Sequence, residues 1–237
     1  MPATRDVPTE LGLARLWIDD PADERADAGE TSDPAQVRRS KASRSPGPLG
    51  RPTLVLGHGA GGGVQALDLL AARDAGLAAG LRVVRVEQPW RVAGRRIATP
   101  PSQLDAVWLE VCAGLPGPLI VGGRSTGARV ACRTATATTT ATATGAVAVL
   151  CLAFPLLPPG GRPSRTGELS RAGELILPTV PILIVQGSRD AFGVPVGARL
   201  IEAADHAFAV RKKDGRSATE VAEQIRSTIT EWFAALL

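Results

Sequence analysis

The sequence predicts an α/β domain in which a mostly parallel sheet is covered by helices on both faces. From Thr53 onward, short apolar runs alternate with segments of helical periodicity. The runs are apolar at successive positions, as strands buried on both faces are, and they read "TLVLG", "LRVVRVE", "PLIVGG", "AVAVLCLA" and "PILIVQG". Strands of this kind separated by helices predict a parallel sheet joined by right-handed crossovers.

An earlier strand and a polar segment precede this alternating region. The stretch "LGLARLWID" predicts an opening strand that ends at Asp19. Between Pro21 and Pro52 the chain is rich in Asp, Glu, Ser, Arg and Pro and nearly lacks large apolar residues, so it cannot pack into a core. We therefore expect a single domain over residues 1–237, with a flexible loop at residues 20–52 between the first strand and the rest.

Helical spacing predicts one helix near Ser102–Gly114 and another at the C-terminus. Ser102 with Asp105 and Ser217 with Glu220 have the spacing of N-terminal capping pairs. The apolar face of the first helix is expected to hold Leu104, Val107, Trp108, Val111 and Leu115. The apolar face of the second is expected to hold Val221, Ile225, Ile229, Trp232 and Leu236.

Two further helices are predicted, near Gln65–Ala79 and from Ser125 onward. The second should end within the threonine-rich stretch Thr134–Gly145, because β-branched residues weaken helices.

Composition argues against several classes of partner. A net charge of +4 with 3% aromatic residues and no basic stripe argues against nucleic-acid binding. There is no apolar secretion-signal segment, and no apolar run reaches the roughly 18 residues of a membrane span. Three cysteines in apolar segments, without a CxxC pair, predict buried thiols and no zinc site. We expect a cytoplasmic protein without cofactor, metal or membrane partner, and the oligomeric state stays open.

The stretch "GGRSTG" is the main candidate for chemistry. Gly123, Ser125 and Gly127 fit the pattern G-x-S-x-G, with an apolar run before it and a helical run after it. In that setting a strand turns sharply into a helix and raises the serine above the sheet edge. The following helix directs free N–H groups toward the turn, which favours negative charge there. Ser125 is therefore a candidate nucleophile.

A serine nucleophile needs a base and an acid that orients the base. Asp190 follows the strand "PILIVQG", and His206 comes later in "EAADHAF", so the chain order is Ser, Asp, His. With two histidines in the chain, only His58 is an alternative imidazole. Asp205 is the competing acid, although an adjacent carboxylate points poorly at its neighbour's ring.

An oxyanion hole is expected beside the serine. The loop "GHGAGGG" follows the first central strand, and the backbone N–H of Ala60 or Gly59 should be one donor. The N–H of Thr126 should be the other. His58 is expected to hold this loop by hydrogen bonds.

These residues resemble the small α/β hydrolases of the dienelactone-hydrolase-like kind, most closely the branch named for testis-expressed and NSL-complex subunits, which has many bacterial members. The resemblance rests on the Ser-Asp-His order, "HGAGGG" and "EQPWR", and covers Thr53 to the C-terminus with the opening strand. It implies an α/β-hydrolase fold and a serine hydrolase with Ser125, Asp190 and His206 as nucleophile, acid and base. The segment between Asp190 and His206 is shorter than the family pattern.

The expected substrate is a small molecule with an ester, thioester or related acyl bond, as for a carboxylesterase or thioesterase. The segment between Phe154 and Pro181 is too short for a large lid, so little or no lid is expected. Trp90, Arg91 and Arg124 are candidate substrate-binding residues, because guanidinium groups pair with carboxylates. The alternative is that the arginines after Trp90 lie on a solvated loop.

Two other functions remain open. Gly57, Gly59 and Gly62, with Glu87 at the end of the next strand, match a dinucleotide-binding fingerprint. That interpretation leaves the serine, aspartate and histidine without a role. The other function is a non-catalytic interaction or scaffold protein on a hydrolase fold, since fold does not fix function.

Overall fold

A central sheet runs through the computed structural model of the chain, which describes residues 2–21, 52–135, 139–140, 143–158 and 171–237. Along the chain its strands are β1 (Ala3–Thr9), β2 (Gly12–Asp19), β3 (Thr53–Gly57), β4 (Arg82–Glu87), β5 (Leu119–Arg124), β6 (Thr139–Thr140), β7 (Ala143–Thr144), β8 (Ala148–Leu152), β9 (Ile182–Gly187) and β10 (Arg199–Ile201). Strands β6 and β7 pair with each other outside the main sheet.

The strand order in the main sheet is β1-β2-β4-β3-β5-β8-β9-β10. From β4 to β10 the neighbouring strands are parallel, and the antiparallel hairpin β1–β2 joins the sheet along β4. Because the parallel strands share one direction, the loops that follow β3, β5, β9 and β10 emerge at the same edge. That edge carries the candidate site.

Helices cover both faces of this sheet. They are α1 (Leu67–Ala78), α2 (Pro89–Val92), α3 (Pro101–Ala113), α4 (Thr126–Thr134), α5 (Arg171–Leu175) and α6 (Ala218–Leu236), with a 3₁₀ turn at Lys212–Asp214. Helices α1 and α6 pack together over one face, and α3 and α4 cover the other. None of these helices, in the part of the chain described, is long and apolar enough to cross a membrane.

The predicted fold class is confirmed, but the sequence pattern missed both edge strands of the main sheet, β1 and β10, and the separate pair β6–β7. The predicted opening strand is β2, but it pairs with the preceding β1, "ATRDVPT". Strand β1 is mostly exposed at the sheet edge, so no apolar alternation marks it. The predicted loop at residues 20–52 lies almost wholly outside the described residues, and the single-domain boundary stays a prediction.

The predicted cap of α3 is wrong. This helix begins at Pro101 after Pro100, and in the described residues Ser102 makes no capping hydrogen bond. A proline suits the first helical position, since its ring fixes φ and its missing N–H would have no partner there. The Asp105 carboxylate instead binds Arg133 of α4 at 2.7 and 2.8 Å.

The C-terminal helix has the cap that the sequence predicts. Ser217 Oγ accepts the Glu220 N–H at 3.2 Å, and the Glu220 carboxylate accepts the Ser217 N–H at 2.7 Å. Its fully buried residues are Val221, Ile225, Ile229 and Phe233, whereas Trp232 and Leu236 are partly buried. Helix α4 ends at Thr134, where the threonine-rich stretch was expected to stop it.

We predict that Ser217→Ala lowers the free energy of unfolding by about 1 kcal/mol, because the N-terminus of α6 loses its capping oxygen. Ser102→Ala is the matched control and should change the free energy of unfolding by less than about 0.5 kcal/mol. Urea denaturation of both variants measures the two values. A larger loss for Ser102→Ala than for Ser217→Ala would contradict these helix starts.

Candidate active site

The chain reverses direction between β5 and α4 within one residue, Ser125. Its backbone has φ 52° and ψ −114°, a conformation that non-glycine residues rarely adopt. The Ser125 N–H donates to the Leu152 carbonyl at 2.9 Å, which ties the turn to β8. The strained turn therefore holds the serine at the carboxyl edge of the sheet.

The glycines on either side of the serine are required by a close backbone approach. A Cβ at Gly123 or at Gly127 would overlap the carbonyl oxygen of Gly57, at the end of β3. The motif thus lets the turn and the end of β3 touch. This contact also places Gly59 beside the serine, since a Cβ at Gly59 would lie 3.3 Å from Cβ of Ser125.

Three predicted residues meet in a hydrogen-bond chain. His206 Nε2 lies 3.0 Å from Ser125 Oγ, and His206 Nδ1 lies 2.7 Å from Asp190 Oδ2. The Asp190 side chain is fully buried, while 22% of the His206 side chain is exposed. With the Nδ1 proton donated to the carboxylate, Nε2 is free to accept the serine hydroxyl proton.

The Asp190 carboxylate is held from two further directions. Its Oδ1 accepts the Phe192 N–H at 2.8 Å, and its Oδ2 accepts from Gln186 Nε2 at 2.7 Å. The Phe192 ring also lies edge-on to the His206 ring, with 4.4 Å between ring centroids. Sequence reasoning missed Gln186, although a glutamine within an otherwise apolar strand is a signal that its side chain has a buried partner.

Asp205, the competing acid, has other partners. Its Oδ1 accepts the N–H groups of Ala207 and Ala209 at 2.8 and 2.9 Å, which closes the turn that carries His206. The short segment between Asp190 and His206 forms β10 in place of a helix. The turn after β10 thus delivers the imidazole to the serine.

Arg124, expected to contact substrate, points into the protein. Its Nε donates to Asp68 Oδ2 at 2.9 Å, its Nη2 donates to the His206 carbonyl at 2.8 Å, and the residue is 8% exposed. Burial raises the pKa of the Asp68 carboxyl, and the charge of Arg124 opposes that rise. The arginine therefore connects the serine turn to the loop of His206. The two residues are 82 positions apart in sequence, so no local motif reveals this contact.

His58 fixes the loop after β3, as expected. Its Nδ1 lies 2.8 Å from the Gly59 carbonyl, and its Nε2 accepts the Gln88 N–H at 3.1 Å. The ring is therefore the Nδ1–H tautomer, and burial lowers the pKa of His58. Thr126, the other predicted oxyanion residue, is the first residue of α4, where a backbone N–H has no partner inside the helix.

The remaining candidate residues line two spaces beside this loop. Trp90 is buried and faces a cavity of about 10 Å³ that Ala60 and Thr126 also line. Arg91 lines an open pocket of about 480 Å³ with Ala60, Gly61, Glu87, Gly94, Arg95 and Arg96. In the described part of the chain the guanidinium of Arg91 has no ion pair.

The dinucleotide interpretation does not fit this geometry. Helix α1 begins at Leu67, five positions after Gly62, so the glycines do not form the first turn of a helix. The Glu87 carboxylate, the proposed ribose ligand, accepts the Trp17 indole N–H at 3.4 Å. Among the described residues no group of three His, Cys, Asp or Glu side chains has a metal-binding arrangement.

The fold and the placement of these residues define an α/β hydrolase. The sequence profile of the family described as "Alpha/beta hydrolase domain" matches residues 50–234, and the chain belongs to this family. The expected resemblance is thereby confirmed at the level of the superfamily. No curated protein matches the chain in sequence.

Solved structures share the fold at low sequence identity. An alpha-beta serine hydrolase homologue from Coxiella burnetii gives a TM-score of 0.62 at 16% identity, over 95% of this chain and 96% of that one. Est1E from Butyrivibrio proteoclasticus gives a TM-score of 0.60 at 11% identity, over 98% of this chain and 99% of that one. XC6422 from Xanthomonas campestris, a serine hydrolase without lid, gives a TM-score of 0.54 at 17% identity, over 98% of this chain and 94% of that one.

The buried neutral His58 predicts a pH-dependent stability. Because burial lowers its pKa below the unfolded-chain value of about 6.5, the unfolded state binds the proton more readily. The stabilisation is therefore complete above about pH 6.5 and is lost as the pH falls below that value. Denaturation of wild type and His58→Asn across this range measures it. The free energy of unfolding of wild type minus that of His58→Asn should decrease on acidification. An increase in that difference would contradict a neutral, buried His58 ring.

Proposed function

We propose that the protein is a serine hydrolase that cleaves an ester, thioester or related acyl bond through an acyl-enzyme. Ser125 is the nucleophile, His206 the general base and then acid, and Asp190 the acid that orients the imidazole. The observation that carries the proposal is the hydrogen-bond chain from Ser125 Oγ through His206 to the buried Asp190, on a strained turn. A hydroxyl becomes an effective nucleophile when a base held in this way accepts its proton.

The reaction follows from these positions in two halves. As Ser125 Oγ attacks the carbonyl carbon, its proton passes to His206 Nε2, and the carbonyl oxygen becomes an anion. The N–H of Thr126 and that of Ala60 or Gly59 donate to this anion. Collapse breaks the acyl bond, and the leaving group takes the proton from His206. A water molecule then attacks the acyl-enzyme with His206 as base, which releases the acid and restores Ser125.

Arg124 and Arg91 have different roles in this proposal. Arg124 is a positioning residue, because one of its hydrogen bonds joins the serine turn to Asp68 of α1 and the other joins it to the backbone of His206. Arg91 and the exposed Arg95 and Arg96 face an open pocket next to the oxyanion loop, where they suit an anionic group on a small substrate. Trp90 forms a buried wall on the other side of the loop.

The triad predicts a strong and selective loss of turnover. Ser125→Ala and His206→Ala should each lower kcat for a p-nitrophenyl ester by at least about 1,000-fold. Asp190→Asn should lower kcat strongly, because the amide favours the wrong tautomer of His206. Asp205→Asn is the matched control and should retain most activity, since its side chain holds only the turn.

Two outcomes would refute these assignments. Full activity of Ser125→Ala would show that Ser125 is not the nucleophile. A larger loss of kcat in Asp205→Asn than in Asp190→Asn would show that Asp205 is the orienting acid. A wild-type protein inert to a panel of p-nitrophenyl esters and acyl-thioesters would favour the scaffold function.

Arg124→Lys tests the positioning role. The lysine keeps a charge beside Asp68 but cannot also hold the His206 carbonyl with a second fixed N–H. We expect kcat to fall by up to about 100-fold with KM nearly unchanged, since a small displacement of a catalytic group is costly. A lower Tm for Arg124→Lys with unchanged kcat would indicate a purely structural arginine.

Arg91→Lys should instead raise KM for an anionic ester.

A further inference from the structure

An open pocket of about 480 Å³ borders the glycine-rich loop after β3. Its wall combines Ala60 and Gly61 of that loop with Arg91, Arg95 and Arg96 of the segment after β4. A sphere of this volume is only about 10 Å across. Because the Ala60 N–H is expected to bind the oxyanion, a group held in the pocket lies within a few bonds of the acyl carbon.

The three arginines of this wall have no ion pair and no side-chain hydrogen bond within the described residues. Most of the other arginines there pair with carboxylates. Glu87 also lines the pocket, but its carboxylate accepts the Trp17 indole N–H at 3.4 Å. Three guanidinium groups and one carboxylate leave a formal charge of +2 around the pocket.

The guanidinium group of Arg91 lies against the glycine-rich loop. A Cβ at Gly63 would be 3.5 Å from both Nε and Nη2 of Arg91. Burial lowers the pKa of His58, and the nearby charge of Arg91 adds to that lowering. Arg91 is half-buried, whereas Arg95 and Arg96 are exposed. One cationic group is therefore fixed at the loop, and two exposed ones are free to adjust to a bound anion.

Gly61 also indicates an occupant of the pocket. Its φ is not positive, and a Cβ there would meet no atom within 4 Å, so neither its backbone nor its packing requires glycine. Gly59 and Gly63 differ, because a Cβ at either would lie within 3.5 Å of another residue. The missing side chain at Gly61 leaves the wall of the pocket open for a group that is not part of the chain.

We propose that this pocket binds a phosphate monoester group of the substrate, so that the substrate is a small phosphorylated ester or thioester. The inference rests on the proposed function and narrows its substrate class. A phosphate monoester is close to a dianion above pH 7 and has three acceptor oxygens, which suit a formal charge of +2 and several guanidinium donors. A single carboxylate would leave one positive charge unmatched.

The test compares esters of different charge by pH-stat, at about pH 8 and constant ionic strength. Phosphate on either side of the acyl bond can reach the pocket, so two series are measured. The first contains 2-acetoxyethyl phosphate, its methyl phosphodiester and 2-methoxyethyl acetate. The second contains the ethyl ester of phosphoglycolate, its methyl phosphodiester and ethyl methoxyacetate. Each series thus holds a dianion, a monoanion and a neutral ester.

Four variants link the preference to the pocket. The measured quantity is the ratio of kcat/KM for the dianion to kcat/KM for the neutral ester, and comparing this ratio between proteins cancels the intrinsic reactivity of each ester. We expect Arg91→Gln to lower it by at least about tenfold in one of the two series. Arg199→Gln is the control of equal charge and should keep the ratio, because Arg199 is exposed on β10 at the far edge of the sheet. Gly61→Asp should lower the ratio by at least about tenfold relative to its neutral isostere Gly61→Asn, since like charges repel.

A coenzyme A thioester also carries phosphates, but a long arm separates them from the acyl bond. Acetyl-coenzyme A is therefore compared with S-acetyl-N-acetylcysteamine, which has no phosphate. We expect the ratio of their kcat/KM values to be the same in wild type and in Arg91→Gln. A ratio that falls about tenfold in Arg91→Gln would assign the pocket to coenzyme A and overturn the small phosphorylated substrate.

The failures of the two proposals are distinguishable. Equal ratios of dianion to neutral ester in wild type, Arg91→Gln and Gly61→Asp, in both series, would overturn the phosphate site and leave the hydrolase in place. A monoanion preferred as strongly as the dianion, or an equal loss in Arg199→Gln, would overturn it too. Absence of hydrolysis for every ester, together with no reaction of Ser125 with a fluorophosphonate, would overturn the proposed function itself.

Discussion

The contact between the Gly57 carbonyl and the backbone of Gly123 and Gly127 is the constraint on which the site depends. It joins the end of β3 to the turn between β5 and α4 with no space for a side chain. This single backbone contact therefore places the oxyanion loop next to the serine and allows Ser125 to keep its strained backbone. The strain persists because neighbouring strands hold the turn on both sides, through the sheet pairing of β5 with β3 and β8.

A second set of contacts brings in the groups that lie far away in sequence. The buried pair Asp68–Arg124 spans α1 and β5 and reaches the carbonyl of His206. Gln186 and the N–H of Phe192 hold the carboxylate of Asp190. Burying a charged pair has a desolvation cost, so its value lies in geometry more than in net stability. The imidazole is thus fixed from its ring, through Asp190, and from its backbone, through Arg124.

The sequence predicted what local patterns encode. Buried apolar runs predicted the parallel strands, and glycine spacing predicted the turn at Ser125. Strand-end positions and chain order brought Asp190 and His206 together as candidates, and their distances agree with that placement. The α/β-hydrolase fold followed from the same motifs.

The rest depends on contacts that no local pattern shows. Strand β1 is mostly exposed and polar, so no apolar pattern marks it, and its pairing with β2 and the Asp6–Arg15 ion pair between them show only in the folded chain. Arg124 was predicted to bind substrate, but its side chain pairs with Asp68. That partner comes close to Arg124 only when α1 packs on the sheet, so the sequence does not reveal the pair. At α3, two prolines start the helix and displaced the predicted cap at Ser102. The small cavity beside the oxyanion loop is lined by residues from four separate segments, and only the folded chain assembles it.

The central claim is that the Ser125 hydroxyl is activated by His206. It is tested most directly by treating the native protein with a fluorophosphonate and locating the adduct by peptide mass spectrometry. The account predicts one adduct per chain, on Ser125, formed far more slowly when His206 is replaced by alanine. An adduct on a different residue, or labelling of Ser125 at an equal rate without the imidazole, would contradict it.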